Sequence, residues 1–255
     1  PAFEVTPHKT VADYGDMHAL EQFAKSVDLV TYEFENVPAE TAQAILGFNV
    51  PLAPGARALA TAQDRLVEKN FIESAGVPVA PFANVESQAD LENAVQTIGL
   101  PAVLKTRRFG YDGKGQLFLH KPEEVVGAFK ELGENPCVLE GFVAFDREIS
   151  VIIARTAKGE IAAYDPAENV HQNAILHTST VPATISGNLQ QDALDAASKI
   201  ATSLEYVGVM GVEFFVSDAN AQLVVNEIAP RVHNSGHWTE AACLISQFEQ
   251  HIRAI

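Results

Sequence analysis

The sequence predicts a protein of mixed α/β and α+β class: a truncated α/β segment, then two α+β lobes joined by a hinge. Three observations predict it. Residues 101–119 read as a strand, a glycine-rich loop with several cations, and a second strand. An apolar strand at 137–143 passes through Glu140 and Gly141 toward another strand at 148–153, as a linker between two sheets would. Two acids, Glu213 and Glu227, interrupt apolar strands that read as a hairpin. A chain of 255 residues with 47% apolar content is long enough for one large or two small domains and rich enough for a sizeable core.

Charge and composition exclude several classes. The net charge of −16 argues against non-specific nucleic-acid binding. Yet four of only 17 Lys and Arg, namely Lys105, Arg107, Arg108 and Lys114, fall within residues 105–114, which marks a local anion site. No apolar run approaches the ~18 residues of a membrane span, and residues 1–30 lack the basic start and apolar stretch of a signal peptide. Cys137 and Cys243 lie far apart in apolar surroundings, which predicts buried thiols in a reducing compartment. Residues 1–50 read as the end of a unit, so further chain is expected at both ends.

The elements follow in order. Residues 28–34 read as a strand from their β-branched and aromatic content, flanked by helices at 17–26 and 38–46. Pro51 and Pro54 mark a break. Residues 60–75 read as one helix with Val67, Phe71 and Ala75 on one face, stopped by Gly76 and Pro78. Ser87 and Asp90 start a helix with the stripe Leu91, Val95 and Ile98. Pro122 opens another, to about residue 132. Residues 77–135 thus make a small α+β unit suited to act as a lid. Residues 165–187, with their polar and His-bearing runs at 169–173 and 176–180, lack periodicity and read as a long functional loop. A helix at 189–204 turns Ala193, Ala196, Ala197 and Ile200 inward, and strands at 206–216 and 222–228 form the hairpin. A polar loop at 229–239 leads into a helix reaching residue 252, with Thr239 as a cap.

Three stretches carry chemistry. In the loop at 105–116, Gly110, Gly113 and Gly115 let backbone N–H groups approach a polyphosphate, and Lys105 reaches it as a point charge. The pattern matches neither a Walker A loop nor a dinucleotide fingerprint. Glu213 and Glu227 are costly on apolar strands unless something positive neutralises them, and magnesium held with substrate phosphates fits. Alternatively, one faces solvent and the other pairs with Arg231. Glu140 and Glu148 border either a cleft or an edge strand. The third stretch, with Arg231, His233, Asn234, Ser235 and His237, reads as a second anion site, and its spacing matches no zinc frame.

Together these stretches resemble the ATP-grasp ligases, closest to the branch of microbial purine synthesis that carboxylates an aminoimidazole ribonucleotide. The signatures are Thr31-Tyr-Glu-Phe-Glu-Asn36, Gln63-Asp-Arg65, Gly110-Tyr-Asp-Gly-Lys-Gly-Gln116, Asn169-Val-His-Gln172 and Asn226-Glu-Ile-Ala-Pro-Arg-Val-His-Asn-Ser-Gly-His-Trp238. The resemblance implies an ATP-grasp fold, divided as residues 1–56 (a remnant of the preceding α/β domain), 57–138 (small lobe) and 139–255 (large lobe), without a C-terminal domain. It implies that ATP and bicarbonate give carboxyphosphate, which carboxylates 5-aminoimidazole ribonucleotide. By position, Arg65 and Lys105 would hold the ATP phosphates beneath Gly110, Tyr111, Asp112, Gly113, Lys114, Gly115 and Gln116. Glu140, Gly141, Phe142 and Val143 would take the adenine, Glu148 the ribose, and His171 and Asn226 would border the nucleotide. Glu213 and Glu227 would hold Mg2+, and Tyr111 and Asp112 would touch the imidazole substrate. Arg231 and His233, with Asn234 and Ser235, would face bicarbonate or the acyl phosphate. The resemblance also implies a cytoplasmic homodimer with no nucleic-acid or membrane partner. Two departures stand out: Arg65 replaces a lysine common in the superfamily, and Ala229 occupies a position that is often Asn. Another carboxylate–amine ligase of this fold, such as a formate-using one, and a non-catalytic nucleotide-binding domain are the alternatives.

Overall fold

The computed structural model describes residues 4–110, 114–218 and 221–255, which fold around two antiparallel sheets. Helices α1 (Met17–Ala24), α2 (Ala39–Gly47), α3 (Ala56–Ala62) and α4 (Arg65–Ser74) come first. Next come β1 (Phe82–Val85), α5 (Gln88–Ile98), β2 (Ala102–Thr106), β3 (Gln116–Leu119), α6 (Pro122–Val125), α7 (Ala128–Glu131) and β4 (Cys137–Gly141). Their four strands form a sheet of order β1-β4-β2-β3. The second sheet is built from β5 (Arg147–Arg155), β6 (Ile161–Ala163), β7 (Ala167–Gln172), β8 (Ile175–Thr180), β9 (Gly208–Ser217) and β10 (Gln222–Ala229), with α8 (Gly187–Ser203) between β8 and β9. Its order is β10-β9-β5-β7-β8, with β6 on β5. Two short helices, α9 (Thr239–Ala242) and α10 (Gln247–Ala254), close the chain.

Each sheet has its own core. Leu91 of α5 packs with Leu104, Leu119, Phe129 and Leu139 on the smaller sheet. The α8 stripe Ala193, Ala196, Ala197 and Ile200 packs as its spacing predicts, against Ile149, Val151, Met210 and Phe214 of the larger. Each of the Leu, Ile, Val, Met and Phe side chains contributes about 1.5–3 kcal/mol on burial. Helices α3 and α4, which the sequence reading groups with the small lobe, pack through Ala58 and Ile72 into the larger core. Cys137 is buried, Cys243 is half-buried, and both are free thiols. Among the described residues no helix is long and apolar enough to cross a membrane.

Several elements differ from expectation. The single helix at 60–75 is two, because Asp64 has extended backbone and its carboxylate caps α4, accepting from Leu66 N at 3.0 Å. The inward face of α4 is not Val67, which is exposed, but Glu68, Lys69 and Ile72. Residues 28–34 make only one bridge, between Val30 and Leu52, so an extended segment lacks the neighbours that would make it a strand. The helix from Pro122 breaks at Gly127, where φ is +81°. The presumed loop at 165–187 contains the hairpin β7–β8, joined by Asn173 and Ala174, both at positive φ as a type I′ turn requires. Its polar side chains hid the alternation. The C-terminal helix is two pieces, and Thr239 caps neither: its hydroxyl donates to Gly236 O at 2.6 Å and accepts from Gln247 N at 3.0 Å.

The start of β9 runs beyond its pairing with β10, and α10 covers that edge with His251. Val209 N–H donates to His251 Nδ1 at 3.0 Å, so the ring proton sits on Nε2, 2.8 Å from Thr31 Oγ1. Burial holds the imidazole below its ordinary 6.5, and a proton on Nδ1 would meet the Val209 N–H. The unfolded chain therefore binds the proton more readily, and stability present above pH 6.5 is lost as pH falls below it. Urea denaturation at stepped pH checks this: His251→Gln, which keeps an acceptor for Val209, flattens the loss between about pH 7 and pH 5, the range over which histidine titrates.

Candidate active site

A cleft of about 400 Å³ opens between the two sheets, with Arg65, Lys105, Glu140, Glu213, Glu227 and His233 on its walls. The glycine-rich loop is rooted at the start of α4. Arg65 N donates to Arg107 O at 3.0 Å, and the Arg107 guanidinium grips Asp64 through Nε at 3.0 Å and Nη2 at 2.7 Å. Arg108 donates to Gln63 Oε1 at 3.0 Å. Two of the four cations counted in the sequence therefore anchor the loop, and Lys105, Lys114 and the anchoring Arg107 itself line the cleft. Thr106 N donates to Gly115 O at 2.8 Å, and a Cβ at Gly115, whose φ is +71°, would come within 2.6 Å of Thr106 Oγ1. Gly110, Lys114 and Gln116 line the cleft too. Tyr111, Asp112 and Gly113 lie outside the described residues.

Beneath the cleft lies a chain of buried charge. Glu140 Oε2 accepts Lys105 Nζ at 3.0 Å and pairs with Lys69 Nζ at 3.1 Å, the latter lysine only 1% exposed. Burial opposes the ionisation of Glu140, but Lys105, Lys69 and Arg65 outweigh it and hold the carboxyl below its ordinary range. Glu140 Oε1 is buried and has no partner among the described residues. Burial pulls Lys105 down, partly offset by Glu140. Glu68 accepts from Ile228 N at 2.7 Å, and burial, reinforced by Glu227, pushes it up to about 8.

Glu213 and Glu227 stand opposite each other on β9 and β10, next to a bulge that inserts Asn226. Both face the cleft. Arg65 Nη1 donates to Glu227 Oε2 at 3.0 Å. Burial resists both charges; Arg65 keeps Glu227 ionised well below the usual range, while burial and the charge of Glu227 raise Glu213. Asn226 Oδ1 is buried without a partner among the described residues. Two carboxylates and an orphaned amide oxygen beside a cation-rich cleft suit a divalent cation that completes its shell with phosphate oxygens and water. Among the described residues no three His, Cys, Asp or Glu gather as a metal cage.

The remaining candidates sort by position. Gly141, Phe142 and Val143 form the connection out of β4 and line the cleft with Phe145, which stacks on Phe215 at 4.5 Å. Glu148 lies 3.1 Å from His171 Nδ1, and the proximity of that carboxylate raises the imidazole. Arg231 Nε donates to Glu35 Oε2 at 3.0 Å. Asn234 reaches the cleft, whereas Ser235 is fully buried beneath His233 rather than facing a substrate. Burial, helped by Arg231, pushes His233 down to about 4. Sequence reasoning missed Glu68, Lys69 and the Glu35–Arg231 pair; adjacent ions at the i+3 and i+4 positions after Arg65 were the available signal.

Two lobes closing on a phosphate-suited cleft define an ATP-grasp domain, and the ATP-grasp domain profile matches residues 70–248. The ribonucleotide synthetase preATP-grasp profile matches residues 1–63. An N5-carboxyaminoimidazole ribonucleotide synthase of Brucella melitensis is 49% identical over 257 residues, covering 100% of this chain and 70% of that protein. The ADP complex of an N5-carboxyaminoimidazole ribonucleotide synthetase superposes with a TM-score of 0.95 at 44% identity, over 99% of this chain and 67% of that one. The Aspergillus clavatus synthase crystallised with ADP and the aminoimidazole ribonucleotide superposes with a TM-score of 0.91 at 28% identity, over 100% of this chain and 67% of that one. The chain belongs to the N5-carboxyaminoimidazole ribonucleotide synthase family of ATP-grasp proteins, and it spans about two thirds of the length of these relatives.

Replacing Lys69 by Met leaves Glu140 buried with Lys105 as its one strong cation. The expected loss is about 1–3 kcal/mol of stability, from a buried charge left half-satisfied. Urea midpoints check it, and a variant as stable as the parent would deny the pair its structural role.

Proposed function

We infer that this chain catalyses ATP-dependent carboxylation of 5-aminoimidazole ribonucleotide. One oxygen of bicarbonate attacks the γ-phosphorus of ATP, the bond to the β-phosphate oxygen breaks, and ADP leaves. The exocyclic amine then attacks the carboxyl carbon of carboxyphosphate, the carbon–oxygen bond to phosphate breaks, and phosphate and the amine proton depart. The observation that carries this reading is the meeting of Arg65, Lys105, Glu213 and Glu227 in one cleft. Its support from relatives is their naming for this product and the solved complex holding ADP with the aminoimidazole ribonucleotide.

Phosphoryl transfer to bicarbonate needs placement and charge neutralisation more than a covalent catalyst. Arg65 and Lys105 take the phosphates with Gly110, Lys114, Gly115 and Gln116, and the family resemblance assigns Tyr111, Asp112 and Gly113 to nucleotide binding as well. Gly141, Phe142 and Val143 offer backbone and apolar surface to adenine, and the free Oε1 of Glu140 can accept its amino group. Glu148 takes the ribose beside His171. Glu213, Glu227 and Asn226 would hold Mg2+, which when bound offsets triphosphate charge. Tyr111 and Asp112 contact the imidazole substrate. Arg231, held by Glu35, and His233 bind bicarbonate and the acyl phosphate near Asn234. A closed cleft excludes the water that would hydrolyse carboxyphosphate. The working protein is taken as a cytoplasmic homodimer on the family resemblance alone.

The test is ADP release by the intact protein with each substrate omitted in turn. Release is expected to require bicarbonate and the aminoimidazole ribonucleotide together, and formate is expected not to replace bicarbonate. Glu213→Gln and Glu227→Gln are each expected to lower kcat by roughly 10²–10³-fold, the cost of losing one preorganised electrostatic group. Undiminished turnover in Glu213→Gln would remove that carboxylate from the proposed site.

A further inference from the structure

His233 ends a hydrogen-bond chain whose direction can be deduced. Fully buried Gln247 fixes its backbone: His233 N donates to Gln247 Oε1 at 2.9 Å, and Gln247 Nε2 donates to His233 O at 2.7 Å. Neighbouring glycines make room for the ring and for Gln247. A Cβ at Gly211 would stand 2.9 Å from His233 Cβ and Cγ, and one at Gly236 would stand 2.5 Å from Gln247 Oε1.

The ring's Nδ1 points inward. Ser235 N–H donates to it at 3.4 Å, and Ser235 Oγ lies 2.8 Å away. A backbone amide can only donate, so Nδ1 is an acceptor and carries no proton. The Ser235 hydroxyl must then give its proton to Nδ1 and accept from the buried Ser150 Oγ, 2.7 Å behind it. The one ring proton lies on Nε2, on the cleft side, 3.4 Å from Glu213 Oε1.

We propose that Ser150 and Ser235 are positioning residues that lock His233 as its Nε2–H tautomer, so that it presents a hydrogen-bond donor to bicarbonate and acyl-phosphate oxygens and cannot accept the amine proton. The ligand part rests on the function proposed above; the tautomer does not. A donor aimed at a developing anionic oxygen stabilises charge without changing its own protonation state. A ring with no lone pair toward the cleft offers no general base there.

Nitrogen-15 NMR of the histidine rings in the intact, ligand-free protein reads the tautomer directly, with His233→Gln assigning the signals. The expected spectrum has an unprotonated Nδ1 and a protonated Nε2 for His233. Ser150→Ala and Ser235→Ala are expected to mix the tautomers and raise the bicarbonate KM roughly 3–10-fold, the worth of about one hydrogen bond, without moving the ATP KM. His233→Gln, which keeps an N–H donor but cannot act as a base, is expected to be about tenfold more active than His233→Ala, by the same measure. A protonated Nδ1 in the parent, an unchanged ring spectrum in both serine variants, or equal inactivity of the Gln and Ala variants would overturn the proposal. ADP release that ignores bicarbonate would instead overturn the reaction, and the ring spectrum stands apart from that result.

Discussion

Two adjacent buried side chains on α4, Glu68 and Lys69, hold the cleft together from behind. Glu68 takes the Ile228 N–H just past the β10 bulge, and Lys69 reaches both Glu140 on the smaller sheet and, at 3.4 Å, the Asn226 carbonyl in the bulge itself. A bulge frees backbone groups from the ladder, and buried groups of this kind must find partners. Supplying them from one helix fixes where Asn226 and Glu227 point. The same helix begins at Asp64, whose carboxylate grips Arg107 at the root of the glycine-rich loop. Thus α4 and its cap touch the loop, the β10 strand and Glu140 of the smaller sheet within two turns.

The electrostatics follow from this arrangement. Unpaired, each buried ion would cost several kcal/mol. Here each acid has an assigned counter-charge or an assigned proton. Arg65 keeps Glu227 ionised, Lys69 and Lys105 keep Glu140 ionised, and burial raises Glu68 and Glu213 toward protonation. The balance leaves cations in excess on a chain whose net charge is −16. An acidic protein can thereby hold a strongly anionic substrate in one place and repel polyanions elsewhere.

Parts of this were legible in the sequence because one physical signal dominated locally. Apolar strands interrupted by Glu213 and Glu227 read as a hairpin, with a bound cation or an Arg231 pair as the two ways to neutralise its acids; the cation that pairs with Glu227 is Arg65. The Ala-rich stripe of α8 has one helical solution. The α4 face was misread because the usual rule, apolar in and charged out, is inverted where paired ions line a cleft: Val67 is exposed and Lys69 is not. The β7–β8 hairpin escaped because its polar strands face a cleft and solvent, so no hydrophobic alternation remained to count; Asn173 was its one turn signal. Ser150 and Gln247 carry no sequence signature, since their roles arise from contacts 85 and 14 residues distant along the chain.

Glu140 has two lysines where one would neutralise it. If Lys105 turns from that acid toward an arriving nucleotide, Lys69 stays behind, and no bare anion is stranded in the interior. The second amine thus acts as a standing reserve. It lets a side chain leave a buried partner at small cost, and so keeps the threshold for capturing substrate low without loosening the scaffold around it.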